Sequence, residues 1–201
     1  MRLSNTRFVV FPATYLLLLP LYAQPAAPAN WPADAVRDVL QSLWAYDHAG
    51  RPTASRRVSF ELPELVVNLY LAATLPGTPR PMIGDMRLKL LPGDRCVVDA
   101  KVDFDALQKV APKLFSASEK QQFKGLKSVR AEFHFSASSG FLGFDAKPLP
   151  SEATPSQELL SEVIRQIAAS QPEKIDTRRR IPLPFGLQRL WTREGLLCGE
   201  T

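Results

Sequence analysis

The chain predicts an α+β fold in which a curved antiparallel sheet wraps a central apolar helix, with amphipathic helices alongside. Three observations point there. The stretch from Glu61 to Leu75 has helical length and is apolar on almost every side; after Glu61 only Glu64 and Asn68 are polar before Thr74. A helix of that kind is enclosed by other elements or lines an apolar cavity. Period-two runs follow it, each with one dry and one wet face, as in an antiparallel sheet solvated on one side. Finally, the segments Ala33 to Tyr46 and Pro155 to Ser170 carry apolar residues at helical spacing on one side only.

At the N-terminus, Arg2 and Arg7 precede the short apolar run Phe8 to Tyr22, which Pro12 and Pro20 interrupt. Ala23, or Ala27-Pro28-Ala29, supplies small residues for cleavage. This is the layout of a secretory signal peptide, and the run falls short of the roughly 20 residues a spanning helix needs. Residues 1–23 are expected to be a signal peptide, 24–32 a linker, and 33–201 one α+β domain, giving a periplasmic or secreted protein. A mature chain of about 175 residues suits one domain with a substantial core.

In the first helix Val36, Val39, Leu40, Leu43 and Trp44 share the inward stripe. Val58 and Phe60 read as a short strand, and Glu61 begins the apolar helix, with Pro63 in its first turn. Met86, Leu88 and Leu90 alternate with Arg87 and Lys89, Pro92-Gly93-Asp94 turns, and Cys96 to Phe104 alternates in the most regular strand of the chain. Asp105 is expected to cap a short helix to Leu114, and Ser116 to Gly125 reads as a polar, lysine-bearing, mobile loop. Val129 to Ala137 and Leu142 to Ala146 form the next hairpin across Ser138-Ser139-Gly140. Thr154, Pro155 and Gln157 have the cap, first-turn and capping-box positions of a helix start. Leu187 to Trp191 and Leu196 to Cys198 close the chain as a hairpin.

The full chain has a net charge of +5. Such mild basicity fits contact with an anionic membrane surface but lacks the clustered positive charge of a nucleic-acid binder. The run Arg178-Arg179-Arg180 reads as a solvated strand edge. Cys96 and Cys198 are an even pair. In an oxidising compartment they can close a disulfide loop of about 100 residues, worth roughly 4–5 kcal/mol in the chain-entropy model; otherwise they are two buried thiols.

Nothing in the sequence has the spacing of a metal site, a nucleophile elbow or a phosphate loop, and no cofactor is implied. The two histidines, His48 and His134, have no ligand-type spacing. Asp99 and Asp103 share a strand face that Arg95 and Lys101 balance, so they read as solubilising charges. What remains is apolar surface: Leu65, Leu69 and Tyr70 on the helix and Phe133, Phe135 and Phe144 on the strands are the candidate ligand-binding residues.

The segments VSFELPELVVNLYL, VDAKVDFDAL and IPLPFGLQRLWTREGLLCGE together resemble a group of secreted bacterial proteins with the layout of tubular lipid-binding (TULIP-like) domains. The resemblance covers about Val58 to Gly199 and implies a helix wrapped by a highly curved sheet, and binding of lipid or another hydrophobic ligand. Glu61 stands where that pattern has a capping Ser or Thr, and Val66 where it has Asn, with Asn68 two positions on. The expected function is therefore non-catalytic binding of a lipid or similar apolar molecule. The alternative is an envelope interaction or assembly protein with a closed core, recognising its partner through a sheet edge or the arginine run.

Overall fold

The computed structural model describes residues 32–48, 57–74, 82–169, 176–177 and 179–201. The signal-peptide expectation and residues 24–31 of the expected linker lie outside these residues, and Pro32, expected as the linker's last residue, belongs to the first helix. Among the described residues eight strands form one antiparallel sheet: β1 (Ser59–Pro63), β2 (Ile83–Leu91), β3 (Arg95–Asp103), β4 (Leu126–Ser138), β5 (Phe141–Leu149), β6 (Ile181–Pro182), β7 (Arg189–Arg193) and β8 (Leu196–Glu200). Their order is β1-β8-β7-β4-β3-β2, with β5 on the other edge of β4 and β6 on β5. Among the described residues five α-helices accompany them: α1 (Pro32–His48), α2 (Glu64–Thr74), α3 (Phe104–Val110), α4 (Ala117–Gln122) and α5 (Gln157–Ala169). The predicted α+β class and antiparallel sheet are present.

Register explains the single dry face. Cys96 lies opposite both Leu90 and Phe133, Val98 opposite Leu88 and Ala131, and Ala100 opposite Met86 and Val129. Phe133 lies opposite Ala146 and Phe135 opposite Phe144. Side chains directly opposite point the same way, so these apolar residues share one face. Arg87, Lys89, Asp99, Lys101, Arg130, His134 and Lys147 are exposed on the other. Two core clusters lie side by side on the dry face. The first joins α1, α2 and β8 to β2 and the start of β3. The second joins α3, Phe115, Phe123 and α5 to Val102, Val129, Ala131 and Ala146.

The apolar helix differs from expectation in an instructive way. It begins at Glu64; Glu61, Leu62 and Pro63 belong to β1, where they pair with Cys198, Leu197 and Leu196. Proline is tolerated there because β1 is an edge strand. Val67, Tyr70 and Leu71 face the core, whereas Leu65 is 68% exposed and Ala72 and Ala73 are exposed too. The two polar residues face protein instead. The Asn68 amide donates to Leu88 O (2.8 Å) and accepts from Leu88 N (2.7 Å), and the Glu64 carboxylate accepts from Leu90 N (2.7 Å). The Glu64 N–H donates to Gly195 O (2.8 Å), and the Gly195 N–H donates to Leu90 O (3.1 Å). An open strand edge presents unpaired backbone groups that recruit foreign strands. Here, two side chains four residues apart, on one side of a helix, occupy that edge.

Several caps and boundaries also moved. The N-cap of α3 is Asp103, whose side chain accepts from Ala106 N (2.9 Å); Asp105 instead accepts from Gly125 N (3.0 Å). Residues expected to form a loop contain α4, held by a reciprocal capping box between Ser116 and Glu119. In α5 the cap is Ser156, bonded to Leu159 N (3.2 Å), and the Gln157 amide donates to Ala146 O on the free edge of β5. Trp44, expected inward, is 48% exposed and stacks on His48. The Ser139-Gly140 turn has φ of 54° and 75°, the left-handed pair that tight hairpins require. Gly199 is required by packing: a Cβ there would lie 2.4 Å from the Phe60 ring.

Candidate functional site

The six candidate ligand residues divide into three groups. Phe133, Phe135 and Phe144 come together on the dry face of β4 and β5, with the Phe133 and Phe144 ring centroids 6.0 Å apart at 41°. All three are only half-buried, while Leu142 and Ala146 on the same face of β5 are buried. Phe133 touches both core clusters and so marks the seam between them. Tyr70 is buried in the first cluster, and burial pushes its phenol well above the usual range, with the Arg37 charge opposing weakly. Leu65 and Leu69 lie on the outward arc of α2 with Ala72 and Ala73, so the structure does not bring them to the rings.

The seam has further apolar lining that the sequence reading did not single out. Ala100 and Ala137 on the strands and Val66 on α2 are half-buried against the first cluster. Ile164 and Ile167 on α5 are half-buried against the second. The amphipathic stripe of α5 contained the signal: Leu159, Leu160 and Val163 are buried, while Ile164 and Ile167 at the edge of the same stripe are not. Half-buried apolar side chains thus come from the sheet and α2 in the first cluster and from α5 in the second, with Phe133 common to both. Charged groups are absent from these residues, so what they offer a ligand is dispersion and water exclusion.

The candidate chemical residues lie on the wet face. Asp99 is 3.3 Å from Arg130, and His134 Nε2 is 3.2 Å from a Glu132 oxygen that also lies 3.3 Å from Arg95. Asp103 is committed to its cap. Among the described residues, no three His, Cys, Asp or Glu side chains are grouped to hold a metal ion, and no helix is long and apolar enough to cross a membrane. Of the arginine run, Arg179 and Arg180 are exposed, and Arg179 lies 3.5 Å from Asp176; Arg178 falls outside the described residues.

Of the two alternatives for the cysteines, the structure has the buried free thiols and not the disulfide. Strand pairing gives the reason. Cys96 points into the dry face between Leu90 and Phe133, whereas Cys198 pairs with Glu61 and Trp191 and points to the opposite side of β8 from core residue Leu197. Burial, and secondarily the Glu132 charge, raises the Cys96 thiol from 9.0 to about 12. Burial, then Glu61, raises Cys198, and Arg193 opposes. A thiol whose folded pKa is raised favours the folded state fully below the unfolded value, and that contribution is lost as pH climbs from about 9 towards 12. Ellman's reagent at mildly alkaline pH is expected to find no reactive thiol in the native protein and both thiols after unfolding without reductant. A count of zero after unfolding would mean that they are paired.

No family model matches the chain, and no curated protein sequence matches it.

Proposed function

We propose that the protein is an exported, non-catalytic binder of a lipid or similar apolar molecule, held at the seam between α2 and α5 over the central strands. The observation that carries this reading is that Phe133, Phe135 and Phe144, three neighbouring aromatic rings on the dry face, are each only half-buried. Aromatic surface left open in a recess between packed elements is the usual lining of a small-molecule site. The finer fold reading, a curved sheet around α2 like that of tubular lipid-binding domains, belongs to the same proposal. It is supported by the hydrogen bonds that join the β7–β8 turn to β2 and to the start of α2, although β2 and β8 are far apart in strand order. The outward Leu65 stripe implies that such wrapping covers only one side of α2.

A fluorescent fatty acid, such as a dansyl-labelled undecanoic acid, is the direct probe. The native protein is expected to enhance and blue-shift its emission saturably. Phe135→Ser and Phe144→Ser are each expected to weaken binding about tenfold, the effect of removing ~1.4 kcal/mol of apolar contact. Leu65→Ser is expected to leave binding unchanged. Absence of saturable enhancement by a protein with a normal thermal transition would refute the proposal. In that event the envelope-interaction reading gains, with the exposed Leu65, Ala72 and Ala73 and the half-buried Leu69 as its surface.

A further inference from the structure

We infer that the cap formed by residues 104–126, which joins β3 to β4 at one end of the sheet, is a docking surface for an anionic lipid bilayer. The cap is a built unit. Phe104, Phe115 and Phe123 bury their rings together, with Phe104 and Phe123 centroids 5.1 Å apart. Phe104 N donates to Gly125 O (3.0 Å), and Gln108 Nε2 donates to Phe123 O (2.6 Å). Its polar surface is uneven. The two acids within it are turned onto the cap's own backbone: Asp105 accepts from Gly125 N, and Glu119 accepts from the Ser116 N–H and hydroxyl. The Ser116 hydrogen bonds hold the Glu119 carboxyl below the usual range, so it stays charged and committed there.

The four lysines of the cap, Lys109, Lys113, Lys120 and Lys124, are all exposed, and none has an ion-pair partner among the described residues. Elsewhere on the surface, Lys101 pairs with Asp85, Lys127 with Glu152, Arg130 with Asp99, Arg189 with Glu200 and Arg193 with Glu61. Arg87, Lys89 and Lys147 on the wet face of the sheet are exposed and unpaired among the described residues too, but the cap gathers four such lysines within residues 109–124. Lys109 and Lys120 lie in the last turns of α3 and α4, where the helix dipole alone accounts for a cation. Lys113 and Lys124 lie outside both helices and have no such explanation. Val110 and Leu126, each 56% exposed, belong to the same cap. Unmatched lysines interleaved with exposed aliphatic side chains suit a surface that is anionic at the headgroup level and apolar beneath it. A soluble polyanion would use the lysines and leave Val110 and Leu126 idle. Such docking does not depend on the seam being a ligand site.

The test is co-sedimentation of the protein with vesicles of phosphatidylglycerol mixed with phosphatidylcholine, against phosphatidylcholine alone, at low and high salt. Binding is expected only to the anionic vesicles and to weaken with salt. The quadruple variant K109Q/K113Q/K120Q/K124Q is expected to lose on the order of a hundredfold in partitioning. The control R87Q/K89Q/R179Q/R180Q, which removes as many exposed cations outside the cap, is expected to lose no more than about threefold. Thermal unfolding of both variants is expected to match that of the parent, which checks that they remain folded. Equal losses in the two variants, or binding to phosphatidylcholine alone, would overturn the inference. So would retention on soluble polyphosphate with no sedimentation on vesicles. Phe135→Ser is expected to leave sedimentation unchanged, so failure here and failure of the ligand reading are separable.

Discussion

Replacing Asn68 with leucine is expected to destabilise the protein by about 2–4 kcal/mol, even though it makes α2 more uniformly apolar. The Asn68 amide bonds both backbone groups of Leu88, at 2.7 and 2.8 Å, and Leu88 is buried. Removing it strands one donor and one acceptor, each worth about 1–3 kcal/mol when left unsatisfied away from water. The transfer gain of a half-exposed leucine offsets only part of this. Asn68→Asp is expected to be harmful too: it keeps the acceptor for Leu88 N but aims a carboxylate at Leu88 O. In urea the unfolding midpoint of Asn68→Leu is expected to fall by about 1–2 M. A midpoint equal to or above that of the parent would mean that the edge of β2 needs no cover from α2.

The second large effect is expected at Phe104. It is 1% exposed, packs with Phe115 and Phe123, and sits at the first position of α3, where its N–H also closes the cap to Gly125. Truncation to alanine removes a fully buried ring from the middle of a small cluster, a change that costs about 3–5 kcal/mol where the surroundings cannot collapse. The two clusters adjoin through Phe133, through paired residues such as Val98 and Ala131, and through α5, but Phe104 packs with Phe115 and Phe123 of the cap, so the loss should be greatest locally. Amide exchange across residues 104–126 is expected to accelerate more than exchange in β2. Uniform acceleration over both would show that the two clusters unfold as one unit.

The strands were legible because alternation is a local signal: β3, β4 and β5 fall where Cys96 to Phe104, Val129 to Ala137 and Leu142 to Ala146 alternate. The closing hairpin followed from its turn residues. The rotation of α2 was not legible. A helix with eight apolar residues and only Glu64 and Asn68 polar before Thr74 normally turns the polar pair to water, but here a strand edge competes for them, and that competitor is only visible once β2 lies beside the helix. The capping box of α4 was written in Ser116 and Glu119 but was hidden by the lysines around it. The seam was half legible. Phe133, Phe135 and Phe144 share a face by period alone, whereas the absence of Leu65 and the presence of Ile164 and Ile167 depend on how two helices rest on the sheet. The cysteines show the limit of pair counting: strand register sends Cys96 and Cys198 to different surroundings.

The most direct measurement of whether the seam holds an apolar molecule is mass spectrometry of organic extracts from the purified protein, alongside the Phe135→Ser variant prepared in the same way. The expected result is a defined lipid or other apolar species recovered in near-stoichiometric amount from the parent and depleted in the variant. Extracts from parent and variant that are equally empty, from protein that is folded and takes up no fatty-acid probe, would contradict it.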